Sequence, residues 1–98
     1  HKDLPLVTAD YQSMTKRELV PFRTAVGFGV QMIMTAHCLY KDLDPVRPAT
    51  LSKRILQDIL RKGLGFEGVT VSDDLEMKAV ADRFTMREIV ESGIRAGI

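Results

Sequence analysis

The sequence predicts a parallel α/β fold, and three observations lead there. Two short apolar runs, Gln31–Ala36 (QMIMTA) and Val69–Ser72 (VTVS), have the length and composition of strands buried in a parallel sheet. Helical segments of roughly ten residues alternate with them, which is the connectivity of βα units. The third observation is Ser72-Asp73-Asp74, where two adjacent carboxylates stop an apolar strand. The outgoing edge of a parallel sheet is where α/β folds bind ligands and carry out chemistry.

Each element has its own signal. Residues His1–Asp10 (HKDLPLVTAD) contain Pro5 and scattered apolar side chains and read as an extended loop. Thr15 and Glu18 have the spacing of a capping box, in which each side chain satisfies the other's orphan amide. Pro21 would delete a hydrogen bond inside a helix, so the expectation is a turn over Thr15–Val20. Pro21 then opens a helix to about Gly27, with Leu19, Phe22 and Val26 on its buried side. After the first strand, Pro45 and Pro48 make Cys38–Thr50 a loop.

Ser52 caps an amphipathic helix that places Ile55, Leu56, Ile59 and Leu60 on one face and Lys53, Arg54, Asp58 and Arg61 largely on the other. Gly63 is expected to end it as a left-handed cap. The chain turns at Gly65 and Gly68 into the second strand. Leu75–Phe84 reads as a loop or a short helix. Thr85 and Glu88 repeat the capping-box spacing and open a last helix, with Met86, Ile89, Val90 and Ile94 expected inward.

Composition narrows the function classes. Of 98 residues 45% are apolar and 28% charged, the balance of an ordinary globular domain, and the length suits one domain. A net charge of +1, from 14 basic and 13 acidic side chains, gives no footprint for nucleic acid or an anionic membrane. The apolar stretch Val30–Leu39 is far short of the ~20 residues of a spanning helix. Cys38 stands alone, without the spacing of a metal site or a disulfide, and is compatible with a reducing compartment such as the cytoplasm without fixing one. No phosphate-cradling glycine loop and no metal-spaced histidine cluster is present, so neither a cofactor nor a metal is expected.

Two strands cannot close a barrel, and a parallel sheet needs both faces covered. The sequence therefore reads as an incomplete piece of a larger α/β fold, an impression that His1 at one end and Ala96-Gly97-Ile98 at the other support. A free-standing two- or three-stranded sandwich is the competing arrangement. The inner faces of Met32, Met34, Val69 and Val71 are expected to be uncovered and to need either further strands or self-association. On local chemistry alone, Ser72-Asp73-Asp74 is equally a strand-ending turn with a helix cap or a reactive site.

Larger matching segments favour the second. LGFEGVTVSDDLEM, preceded by PATLSKRILQDILRKGLGF and by MIMTAHCLY, closely resembles the β-N-acetylglucosaminidases of glycoside hydrolase family 3. HKDLP and RELVPFRTAV look like the same family at the same spacing, so the resemblance covers essentially the whole chain. It implies a fragment of a (β/α)8 TIM-type barrel covering about the sixth and seventh strand–helix units. It also implies a carbohydrate substrate, terminal β-linked N-acetylglucosamine of peptidoglycan or chitin fragments, cleaved with retention through a covalent glycosyl-enzyme.

The resemblance assigns residues as well. The nucleophile is the Asp directly after Ser, which is Asp73. The acid/base is a His just ahead of an L-P pair, which is His1, oriented by an Asp that would lie two residues before it. His37, Asp74 and Met77 are the candidates for the substrate-binding rim. For each a plainer role stands beside it: His37 bonding backbone across the rim, Asp74 capping the following turn, Met77 filling the core. Within the family, β-glucosidases and xylosidases usually carry an aromatic residue after the nucleophile, where this chain has Asp74. A phosphorolytic variant is the other chemistry the resemblance allows. A reading of a different class is a catalytically incomplete structural segment.

Overall fold

The computed structural model describes residues 3–98. Its elements run β1 (Leu6–Val7), α1 (Tyr11–Lys16), α2 (Val20–Gly27), β2 (Met32–Thr35), β3 (Leu39–Tyr40), a single 3-10 turn (Ala49–Leu51), a wide helix (Arg54–Gly63), β4 (Val69–Ser72), α3 (Lys78–Ala81) and α4 (Met86–Ala96). Among the described residues no helix is long and apolar enough to cross a membrane.

The predicted strands form, and they pair in parallel. β2 lies beside β4 in the register Met32↔Val69, Ile33↔Thr70, Met34↔Val71 and Thr35↔Ser72. Strand alternation sends Ile33, Thr35, Thr70 and Ser72 to one side and Met32, Met34, Val69 and Val71 to the other. The first side meets helices: Ile33 packs on a cluster of Leu56, Leu60, Phe66 and Ala96, and the Thr70 hydroxyl donates to the Gly97 carbonyl. The second side is open, with Met32, Met34 and Val69 more than half exposed, as a two-stranded sheet requires.

Gly68 makes the close approach of the strands possible. A methyl group there would overlap the Gln31 carbonyl oxygen, which accepts the Val69 amide at 2.9 Å, and would press on the Phe66 ring at 2.7 Å. Arg61 completes this corner by donating to the Gly68 carbonyl at 3.1 Å while its guanidinium lies over the Phe66 ring, 5.5 Å from the centroid.

The wide helix buries Leu56, Ile59 and Leu60, with Ile55 partly covered, as its periodicity predicts. It opens on Ser52, whose hydroxyl oxygen accepts the Ile55 amide at 3.1 Å. Its winding is broader than the expected α-helix, with i→i+5 hydrogen bonds such as Leu64 amide to Ile59 carbonyl at 2.8 Å. Gly63 stays inside it, and the left-handed residue is Gly65, at φ +77°. The expected cap at Gly63 is thus displaced by two residues.

Other expectations are corrected near the N-terminus. Thr15 and Glu18 form no capping box. Asp10 starts α1 instead, accepting the Ser13 amide at 2.7 Å, and the Thr15 hydroxyl donates back to the Tyr11 carbonyl at 2.8 Å. β1 and β3 form a second parallel pair within segments read as loops, tied by Leu39 amide to Pro5 carbonyl (2.8 Å) and Lys41 amide to Val7 carbonyl (3.0 Å). Pro21 does sit in the first turn of α2, yet Phe22 faces solvent and no residue of that helix is fully buried.

The last helix carries its predicted box: Thr85 Oγ1 accepts the Glu88 amide at 3.1 Å, and Glu88 Oε1 accepts the Thr85 amide at 3.0 Å. Of its four expected inward residues only Ile89 is buried, beside Leu51 and Val80. Met86, Val90 and Ile94 are exposed, because the contact side is Ile89, Gly93 and Ala96. Small residues there let α4 lie close to the 3-10 turn and the wide helix, with Gln57 Nε2 donating to the Ala96 carbonyl at 2.7 Å.

Gly68→Ala is expected to destabilise the intact protein by about 1–3 kcal/mol through this overlap. A thermal melt lower by several degrees is the anticipated result, and an unchanged melt would show that β2 and β4 have room to separate.

Candidate active site

Because β2 and β4 run parallel, their outgoing ends lie side by side. The Asp73 amide donates to the Thr35 carbonyl at 3.2 Å, so the ladder continues one residue beyond β4. Alternation then places Asp73 on the open face with Val69 and Val71. Its Oδ1 accepts the Asp74 amide at 2.8 Å, which fixes the carboxyl group against its own backbone. Asp73 is half-buried, and none of the ion pairs among the described residues includes it. A carboxylate oriented this way at a sheet edge, with no cation holding it, suits nucleophilic or general-base chemistry.

Asp74 is exposed and occupied with the turn. Its Oδ1 accepts the Glu76 amide at 2.9 Å, and its carbonyl accepts the Met77 amide at 3.2 Å. The plainer of its two roles, capping the turn, is therefore present in the structure. Met77 is half-buried and leads into α3 from extended backbone (φ −57°, ψ 137°). His1 lies outside the described residues.

His37 follows β2 and is buried, 4% exposed. Its Nε2 is 2.8 Å from the Asp74 carbonyl, which can only accept, so Nε2 carries the proton. Its Nδ1 is 2.9 Å from the Thr50 hydroxyl, which in the neutral ring donates to it. With both nitrogens engaged, His37 makes the backbone bond across the rim.

Two residues of this corner are absent from the sequence reading. Thr50, fully buried, lies 3.0 Å from Thr35 Oγ1 and 3.1 Å from the Ala36 carbonyl, and its one hydroxyl proton serves either that carbonyl or His37 Nδ1. Thr35 contributes its hydroxyl to Thr50 and its carbonyl to Asp73. One signal was available: Thr35 and His37 are two apart at the end of a strand, and so share a face. Nothing local marked Thr50, which comes from a proline-rich loop.

That loop is held by Asp44. Its Oδ1 accepts the Val46 and Arg47 amides at 3.0 Å each, and its Oδ2 accepts the Ser52 hydroxyl at 2.7 Å. Burial pushes the Asp44 carboxyl upward, but the bonds from Ser52, Arg47 and Val46 together outweigh it and hold the group below the usual carboxylate value. Burial also raises the Cys38 thiol, away from the thiolate a nucleophile needs. Among the described residues no three His, Cys, Asp or Glu side chains cluster to hold a metal ion. An apolar cleft lined by Met14, Phe22, Ile33, Leu56 and Leu60 does not include Asp73 or His37.

The model of the glycosyl hydrolase family 3 N-terminal domain matches residues 1–98. The chain belongs to glycosyl hydrolase family 3. It is 38% identical over 97 residues to a beta-hexosaminidase of Nitrosomonas eutropha, an alignment covering 99% of this chain and 28% of that protein. A family 3 beta-N-acetylglucosaminidase from Paenibacillus sp. FPU-7 superposes with a TM-score of 0.94 at 39% identity, over 99% of this chain and 19% of that one. NagZ from Neisseria gonorrhoeae in complex with N-trifluoroacetyl-D-glucosamine superposes with a TM-score of 0.84 at 32% identity, over 99% of this chain and 26% of that one. The chain thus spans under a third of the length of these family 3 proteins. Its parallel strands and covering helices are an α/β segment of the family's TIM-type barrel domain.

The Asp44 anchor generates a pH prediction. Its folded carboxyl sits below the unfolded value of about 3.9, so the unfolded chain binds the proton more readily. Stability from this group is full above that value and is lost as pH falls below about 4. Asp44→Asn keeps an acceptor for Ser52 but does not titrate. In acid titrations of the intact protein followed by circular dichroism, the variant is expected to lose less stability than the parent below about pH 4. Parallel acid curves would remove Asp44 from the account.

Proposed function

We propose that the protein containing this chain hydrolyses terminal β-linked N-acetylglucosamine, from peptidoglycan- or chitin-type fragments, with retention of configuration. The observation that carries the reading is the placement of Asp73: at the outgoing edge of a parallel sheet, half-buried, oriented by the Asp74 amide. Asp73 attacks the anomeric carbon and forms a glycosyl-aspartate, which water then cleaves. His1 protonates the leaving oxygen and later deprotonates the water, a role for which an imidazole has a suitable pKa range. That assignment rests on the match of HKDLP to the family.

The N-acetylglucosamine specificity is favoured over a β-glucosidase by the hexosaminidase names of the relatives and by Asp74, rather than an aromatic residue, after the nucleophile. Asp74 shapes the pocket floor through its turn, and Met77 lines the wall beside it.

A second reading concerns the 98-residue segment by itself: it is catalytically incomplete and needs further barrel strands or a partner copy. The open apolar face of Met32, Met34 and Val69 favours it, since that surface in a soluble protein calls for cover.

Asp73→Asn in the intact protein is expected to lower kcat by at least about 10³-fold on a chromogenic β-N-acetylglucosaminide, the scale of losing a catalytic nucleophile. A 2-fluoro sugar substrate should leave a covalent adduct that peptide mapping assigns to Asp73; an adduct on another residue would sink the assignment. The purified 98-residue segment is expected to show no turnover of the same substrate, and measurable hydrolysis by it would overturn the second reading.

A further inference from the structure

We propose that His37 and Thr50 are positioning residues that aim the Asp73 carboxylate by clamping the carbonyl of Asp74. The inference rests on the reading of Asp73 as nucleophile. The bonds form a closed circuit. Asp73 is tied at its amide to the Thr35 carbonyl (3.2 Å) and at its carboxyl oxygen to the Asp74 amide (2.8 Å). The direction of the carboxylate therefore depends on where the Asp74 peptide stands.

The next peptide group, joined to the Asp73–Asp74 one through the Asp74 Cα, is held at the Asp74 carbonyl by His37 Nε2 at 2.8 Å. His37 Nδ1 in turn accepts from the Thr50 hydroxyl at 2.9 Å, and Thr50 accepts from the Thr35 hydroxyl at 3.0 Å. The circuit so returns to the strand it started from, with Thr35 serving both ends. The side chains of Thr35, His37 and Thr50 are all buried, and among the described residues no buried side-chain polar atom lacks a partner.

Packing alone gives no reason for a histidine here. An apolar side chain would fill the space without desolvating two ring nitrogens, while a fully satisfied buried network confers a single geometry. What the ring adds is a directed N–H toward one carbonyl, that of the residue following Asp73. Thr50 adds the orientation of the ring. A nucleophile displaced by about 1 Å costs on the order of 100-fold in rate, so a brace of this kind has a kinetic consequence without touching the sugar.

The test uses the intact protein with two pairs of variants. Thr50→Val removes the hydroxyl at nearly constant volume and Thr50→Ser keeps it. His37→Leu removes the ring nitrogens, and His37→Gln keeps an N–H donor at similar reach. With the chromogenic β-N-acetylglucosaminide, Thr50→Val and His37→Leu are expected to lower kcat by about 10–100-fold with KM changed by less than about twofold. Thr50→Ser and His37→Gln should recover most of the rate. Amide hydrogen exchange over residues 73–77 should quicken in Thr50→Val and remain slow in Thr50→Ser, a readout independent of turnover.

Near-normal kcat in Thr50→Val with slow exchange overturns the proposal. So does a rise in KM alone, which would put the ring on the sugar, or an equal loss in Thr50→Ser and Thr50→Val, which would reduce the site to packing. Asp73→Asn run in parallel separates the two readings. If it retains turnover, the nucleophile assignment falls and the clamp falls with it; if it is inactive while Thr50→Val is normal, only the clamp fails.

Discussion

The register between β2 and β4 is the constraint on which the site depends. Because side chains alternate along a strand, a slip of one residue would exchange the two faces of the sheet. Thr70 and Ile33 would leave the helices, and Asp73 would turn from the open face toward them. The register is held by complementary features at its two ends. At the incoming end Gly68 permits close approach, with the Val69 amide on the Gln31 carbonyl. At the outgoing end the Asp73 amide closes on Thr35.

The two sides of this sheet are stabilised differently. Toward the helices, the cluster of Leu56, Leu60, Phe66 and Ala96 supplies non-directional burial, which fixes distance more than orientation. At the outgoing edge, Thr35, His37, Thr50 and the Asp74 backbone form a directional network in which every bond specifies an angle. Asp44 extends that network outward by fixing the loop that delivers Thr50 and Ser52. The chemistry proposed for Asp73 needs orientation, and the polar side of the structure provides it.

The exposed side is informative in its own way. Met32, Met34 and Val69 face outward on a sheet whose other side is packed, and the family 3 proteins that superpose on this chain are several times its length. Asp73 lies at the end of that open face. Among the described residues no other titratable side chain is hydrogen-bonded to the Asp73 carboxylate.

The sequence was sufficient wherever the signal was local or periodic. The apolar runs of β2 and β4, the buried stripe Leu56, Ile59 and Leu60, the Thr85–Glu88 box and the strand-end position of Asp73 follow from short-range patterns. It misled where a pattern had a closer competitor. Asp10 captured the Ser13 amide before Thr15 and Glu18 could form their box, and Gly93 and Ala96, rather than Val90 and Ile94, proved to be the contact side of α4. Tertiary structure alone decided the pairing of β1 with β3, whose two-residue strands are too short for any periodicity. It alone also decided the meeting of Thr35, His37, Thr50 and Asp74, which are drawn from three separate segments. Local patterns determine which residues a strand or helix presents; which of them come within 3 Å of one another depends on how separate elements pack, and no window of the chain contains that.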